Sequence, residues 1–201
     1  MTYPIREYTP DEELRELSFQ YIIDAQQFAT QATVLLDANS LVRNCEYHIG
    51  YLSKIAVTLY MSIECSLKSL ICASHIGETP HSVYWKRIRP ASHFFKKLKA
   101  EIPNFSALIN SPSIEAAIDR LSEAEVSERY CLEISSESDL LGSFNIDSTK
   151  LTEEIEALRG IVDTALQLRQ IAWDFRATAF DGHRTLPPHL VKAVLKKIKT
   201  K

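Results

Sequence analysis

The stretch SLVRNCEYHIGYLSKIAVTLYMSIECSLKSLICASHIG, Ser40 to Gly77, decides the fold. Within it Val42, Cys45, Ile49, Leu52, Ala56, Leu59, Ile63, Leu67 and Leu70 recur at steps of three and four, the spacing that lines one face of an α-helix. Sustained for about eight turns, the stripe predicts a long amphipathic helix as the backbone of the core. Gly50 is a weak point inside it, and Gly77 is a stop signal. Upstream, Thr9 to Glu12 spell TPDE: Thr9 can cap, Pro10 suits the first helical position and Glu12 completes a capping box. A helix from here carries Leu14, Leu17, Ile22, Ala25, Phe28, Ala32 and Leu35 and should end near Ala38 to Ser40.

Downstream, Glu78 to Pro90 contains two prolines and no helical stripe, so a loop is expected. A short helix is predicted over 91–101, and Ser111-Pro112 starts another that runs through Ile114, Ala117, Ile118, Leu121, Val126 and Tyr130. The polar run 135–149 is a second expected loop. Leu151, Ile155, Leu158, Val162, Ala165, Leu168, Ala172 and Phe175 then mark a last long helix. Pro187 and Pro188 separate it from a terminal segment. The expected class is all-α, an up-and-down bundle of four to five helices over residues 1–183, followed by a basic C-terminal segment over 184–201.

Composition agrees. The 201 residues are 45% hydrophobic and 24% charged, ordinary for a globular chain, and 5 glycines with 8 prolines are too few turn residues for a many-stranded barrel. Cys45, Cys65, Cys72 and Cys131 lack CxxC spacing, and Cys65 and Cys72 lie two helical turns apart, too far for a disulfide. They read as thiols of a reducing cytoplasm. No signal peptide is expected at the N-terminus, and the uncharged run Ile55 to Ile63 is far shorter than a bilayer-spanning helix, so the expectation is a cytoplasmic protein with no membrane partner.

The net charge of -3 hides segregation. Residues 85–100 carry Lys86, Arg87, Arg89, Lys96, Lys97 and Lys99 without an acid; residues 184–201 carry six further cations without an acid; residues 101–167 hold fourteen acidic and four basic side chains. One reading is solvated faces that pair with acidic helices of this or another subunit. The other is a polyanion surface, with Lys86, Arg87, Arg89, Lys96 and Lys97 as RNA-binding cations among Tyr84, Trp85, His93, Phe94 and Phe95. Phe94 and Phe95 are nevertheless expected in the core of a short amphipathic helix.

The chain has no GxGxxG, P-loop, HExxH or GxSxG, and none of its six histidines forms a metal-spaced pair, so neither a cofactor nor a metal is expected. Two segments set an arginine before a histidine: RNCEYH, Arg43 to His48, and RATAFDGH, Arg176 to His183. Imidazole can move the 2'-hydroxyl or leaving-group proton of RNA while guanidinium holds the phosphate. A five-residue spacing leaves the two side chains about 140° apart on a regular helix, so a productive pair needs a helix end, an irregular turn or a second subunit. Glu64 and Lys68 stand at the i, i+4 spacing in an apolar helix, where burial would make them organisers of a core or site.

ECSLKSLI at Glu64 to Ile71, SHFFKKL at Ser92 to Leu98 and SERYCLE at Ser127 to Glu133 together resemble the HEPN domain, the "higher eukaryotes and prokaryotes nucleotide-binding" helical family. The resemblance spans roughly residues 40 to 175. It implies a four- to five-helix bundle that often dimerises, and in catalytic members a metal-independent endoribonuclease of toxin, antiviral-defence or RNA-processing systems. These use an Arg-x4-6-His motif with a polar residue often following the arginine. RNCEYH fits that spelling, so the resemblance assigns catalysis to Arg43, Asn44 and His48. The motif lies earlier in the chain than is usual in the family, and the later candidate has Ala177 in the polar slot. The expected function is RNA-directed, with RNA, a second copy of the chain and a cognate protein as partners. The alternative is a non-catalytic interaction or dimerisation module that binds a protein or a nucleotide, the last through Glu64, Lys68 and the aromatic residues.

Overall fold

The structure is a computed structural model that describes residues 8–41, 48–123 and 148–182. Among these residues the chain is α-helical with no strand. Helix α1 is Pro10–Leu41, α2 His48–Ser74, α3 Pro80–Val83, α4 Arg89–Ala91, α5 Phe95–Ala100, α6 Phe105–Ile109, α7 Pro112–Glu123 and α8 Ser148–Asp181, with one π-helical turn, Tyr84–Ile88, between α3 and α4. Residues 1–7, 42–47, 124–147 and 183–201 lie outside the described residues, and with them Arg43, Asn44, His183, Cys45 and Cys131.

The helix starts follow local chemistry. Thr9 and Glu12 form the reciprocal capping box: the Glu12 N–H donates to Thr9 Oγ1 at 3.3 Å and the Thr9 N–H donates to Glu12 Oε2 at 2.9 Å. Along α1 the buried positions are Leu14, Ser18, Ile22, Ala25, Ala29, Ala32 and Leu36, so small Ala29, rather than Phe28, takes the innermost position of that turn. In α2 burial runs round the whole helix from Ser62 to Leu67. The segment Lys54–Ser74 is long and apolar enough to cross a membrane, yet 78% of its most apolar window is buried inside the protein, so its apolar surface is used in packing.

Two compact units divide the chain. The first comprises Met1–Ile23, Glu64–Asn110 and Gln170–Lys201. Its core includes Leu14, Ile22, Leu67, Leu70, Phe95 and Leu98, and a hydroxyl pair, Ser18 Oγ and Ser69 Oγ at 2.9 Å, joins α1 to α2 within it. The second comprises Asp24–Ile63 and Ser111–Arg169. There Ile55, Leu59, Ile63, Ile114, Ile118 and Leu168 are buried, Ser62 Oγ donates to the Ala25 carbonyl at 2.8 Å, and Arg159 meets Asp37 at 3.7 Å near the surface.

The expected loop over 78–90 is instead mostly helical. Thr79 is an N-cap whose side chain accepts from the Ser82 N–H, with Pro80 at the first helical position. Pro90 has no N–H to continue an α-helical ladder. The π turn immediately before it, closed by the Arg89 N–H on the Tyr84 carbonyl, widens the helix where that bond is missing. The run ends at Ser92, whose φ of 50° reverses the chain before α5 begins at Phe95.

Candidate nucleic-acid interface

The wide turn and the reversal at Ser92 set which side chains of this segment meet solvent. Val83, Ile88, Ala91, Phe95 and Leu98 are buried, which leaves Tyr84, Trp85, Lys86, Arg89, His93, Phe94, Lys96 and Lys97 exposed. Three of the large exposed hydrophobic residues, Tyr84, Trp85 and Phe94, therefore fall on this short segment. Each of the two more exposed rings, Trp85 and Phe94, carries a cation. The Arg89 guanidinium lies 3.9 Å from the Trp85 ring centroid, and Lys97 Nζ lies 4.8 Å from that of Phe94. Tyr84 meets Trp85 edge to face at 5.7 Å, and His81 approaches Trp85 at 5.9 Å.

Arg87 is engaged differently. Its Nη2 donates to Glu78 Oε1 at 2.9 Å and its Nη1 to Glu101 Oε2 at 3.1 Å, while His75 Nδ1 lies 3.4 Å from Glu78. Burial disfavours the charge on Glu78, but the Arg87 hydrogen bond and charge, with His75 and Ser82, hold its carboxyl down at about 2. Arg87 thus ties the start of this surface segment to α5.

Beside the cationic face lies a fully buried carboxylate, Glu64. Such a group is costly unless both oxygens are satisfied. Oε1 is bound by Lys68 Nζ, and Oε2 lies 2.8 Å from His93 Nδ1. Lys68 also sits over the Tyr21 ring, 5.8 Å from its centroid. Burial, with Cys72, Cys65, Tyr84 and Glu64 nearby, pushes the Tyr21 hydroxyl well above the usual range, so it stays a neutral hydrogen-bonding group. The His93 side chain remains 55% exposed although its Nδ1 is engaged.

A second arginine site is structural in character. Arg176 is buried between the rings of Phe19, 5.1 Å away, and Trp173, 5.9 Å away, and its Nη1 is 3.8 Å from Asp181. Burial lowers its affinity for the proton, an effect that Asp181 opposes.

Of the residues expected to act on RNA, Lys86, Arg89, Lys96 and Lys97 are exposed and Arg87 is clamped between carboxylates. His48 is the first residue of α2; Arg43 and Asn44 lie outside the described residues. The Glu64–Lys68 pair expected from the spacing is present and buried at Glu64. Its link to His93 was missed. Twenty-nine positions separate the two, and His93 directly follows the reversal at Ser92. Among the described residues no group of three His, Cys, Asp or Glu side chains could hold a metal ion. No protein-family model matches the chain, and no curated protein or solved structure matches it either.

Proposed function

We propose that the chain is a HEPN-like up-and-down bundle directed at single-stranded RNA, which it grips on the face formed by Tyr84, Trp85, Arg89, Phe94, Lys96 and Lys97. The observation that carries this reading is the pairing of exposed rings with cations, Trp85 with Arg89 and Phe94 with Lys97. Bases stack on such planes and phosphates meet the charges, whatever the base sequence. An exposed ring has no comparable use in the fold, because leaving it in water forgoes burial that a core position would provide. The resemblance adds metal-independent cleavage through Arg43, Asn44 and His48, in an RNA-processing, toxin or defence role, and a second copy of the chain as partner.

Exposed Trp, Tyr and Arg are also the residues of protein-interface hot spots, which favours a second reading as a protein-docking module. Titrating a fluorescein-labelled oligouridine with the protein and following anisotropy separates the two. The RNA reading predicts saturable binding that weakens as salt rises, and a roughly 5- to 150-fold loss in Trp85→Ala, the equivalent of about 1 to 3 kcal/mol per stacked base. Equal affinity in wild type, Trp85→Ala and Phe94→Ala, or no binding at low salt, would overturn it.

A further inference from the structure

His93 is the one imidazole on the proposed RNA face whose orientation is set by a buried carboxylate. A carboxylate only accepts hydrogen bonds, so the neutral ring donates from Nδ1 to Glu64 Oε2 and carries its lone pair on Nε2. Glu64 itself cannot swing away: it is fully buried and its other oxygen is held by Lys68. The ring is half exposed, in a segment that also presents Phe94 and Lys97 to solvent. Ser92, which delivers His93 to this position, adopts a left-handed φ of 50° that a non-glycine residue seldom takes, local strain of the kind found where a side chain must be placed for use.

From these observations we infer that Glu64 and His93 form an acid–base centre that cleaves single-stranded RNA bound on this face. The inference rests on the RNA reading above but places proton transfer outside the RNCEYH motif. His93 is the catalytic residue and Glu64 its positioning residue. The ribose 2'-oxygen attacks the adjacent phosphorus as its proton passes to His93 Nε2. The bond from phosphorus to the 5'-oxygen breaks, and that oxygen takes a proton from solvent. The imidazolium then returns its proton to solvent, leaving a 2',3'-cyclic phosphate on one fragment and a 5'-hydroxyl on the other. Lys96 and Lys97, exposed on α5, supply positive charge for the phosphate as its negative charge grows.

The test uses the full chain, a labelled oligouridine and a deoxyuridine oligomer of the same length, with EDTA present throughout. Wild type is expected to cut the ribo-oligomer to cyclic-phosphate ends and to leave the deoxy-oligomer intact. His93→Ala should lose about 100-fold or more in cleavage. Its fold is checked by circular dichroism, and added imidazole, which replaces the missing ring, should restore its activity. Glu64→Gln should lower kcat at least about 10-fold at unchanged KM. Should that variant misfold, the rescue of His93→Ala still decides. Full cleavage in His93→Ala, or loss in His48→Ala alone, overturns the inference and leaves RNA binding intact; wild type that binds without cutting also overturns it. Failure of wild type to bind RNA at all overturns the underlying reading as well.

Discussion

Glu64 Oε2 and His93 Nδ1 lie 2.8 Å apart, although one belongs to the innermost turn of α2 and the other to a surface reversal. The pair connects the core of the first unit to its exposed aromatic face. A buried carboxylate bound to one cation alone would be a device for helix packing. Bound also to a half-exposed imidazole, it has a path to solvent.

Removing one partner of Glu64 should be worse than removing both. Lys68→Met leaves the carboxylate buried beside His93 only, with an expected loss of about 3 kcal/mol in urea unfolding. The double variant Glu64→Leu/Lys68→Met is expected to recover most of it, since the remaining side chains suit an apolar core. A double variant less stable than Lys68→Met would show that the pair is a net stabiliser.

Leu67 is fully buried, and Leu67→Ala should cost about 2 to 5 kcal/mol through lost transfer energy and the cavity left behind. Lys97→Ala, on the exposed face, should change stability by no more than about 0.5 kcal/mol. Urea midpoints measure both. The second value also establishes that a loss of RNA binding in that variant is not a loss of fold.

The Arg87 clamp predicts a pH signature. The Glu78 carboxyl is held at about 2 against an ordinary 4.5, so the clamp's contribution is complete above about 4.5 and fades as pH falls toward 2. Arg87→Ala should therefore be clearly less stable than wild type at pH 7, with a gap that narrows between pH 4.5 and 2. Parallel stability curves across that range would mean that Arg87 contributes nothing through Glu78.

The thiols of α2 should be inert. Burial pushes the Cys72 thiol up to about 12, only partly offset by a backbone hydrogen bond and Lys68, and Cys65 is buried as well. Iodoacetamide at pH 8 should leave both unmodified in the native protein and label both in urea, as peptide mass spectrometry will show. Rapid native labelling of Cys72 would indicate local opening of α2.

The fold class was legible because helix signals are local. The capping box at Thr9 and Glu12 and the stripe through Leu59, Ile63, Leu67 and Leu70 need only neighbours along one helix. Phe94 and Phe95 show where that legibility stops. Adjacent in sequence and alike in type, they take opposite fates, one 54% exposed and the other 1%, because the turn at Ser92 fixes which faces in. Pro80 and Pro90 suggested a loop, whereas one sits at a helix start and the other follows a π turn that absorbs its missing donor. The Glu64–Lys68 pair was legible from its i, i+4 spacing. The His93 contact was not, since it depends on long-range placement that no periodicity encodes.

The most direct test of RNA recognition is the fluorescence of Trp85. The chain has two tryptophans, and Trp173 meets Phe19 in a tilted contact at 5.9 Å, so Trp173→Phe keeps an aromatic ring there and leaves Trp85 as the single reporter. Titration with oligouridine at low salt should quench that emission to a plateau as bases stack on the ring, with the midpoint moving to higher RNA concentration as salt rises. Emission unchanged at saturating RNA would contradict the account.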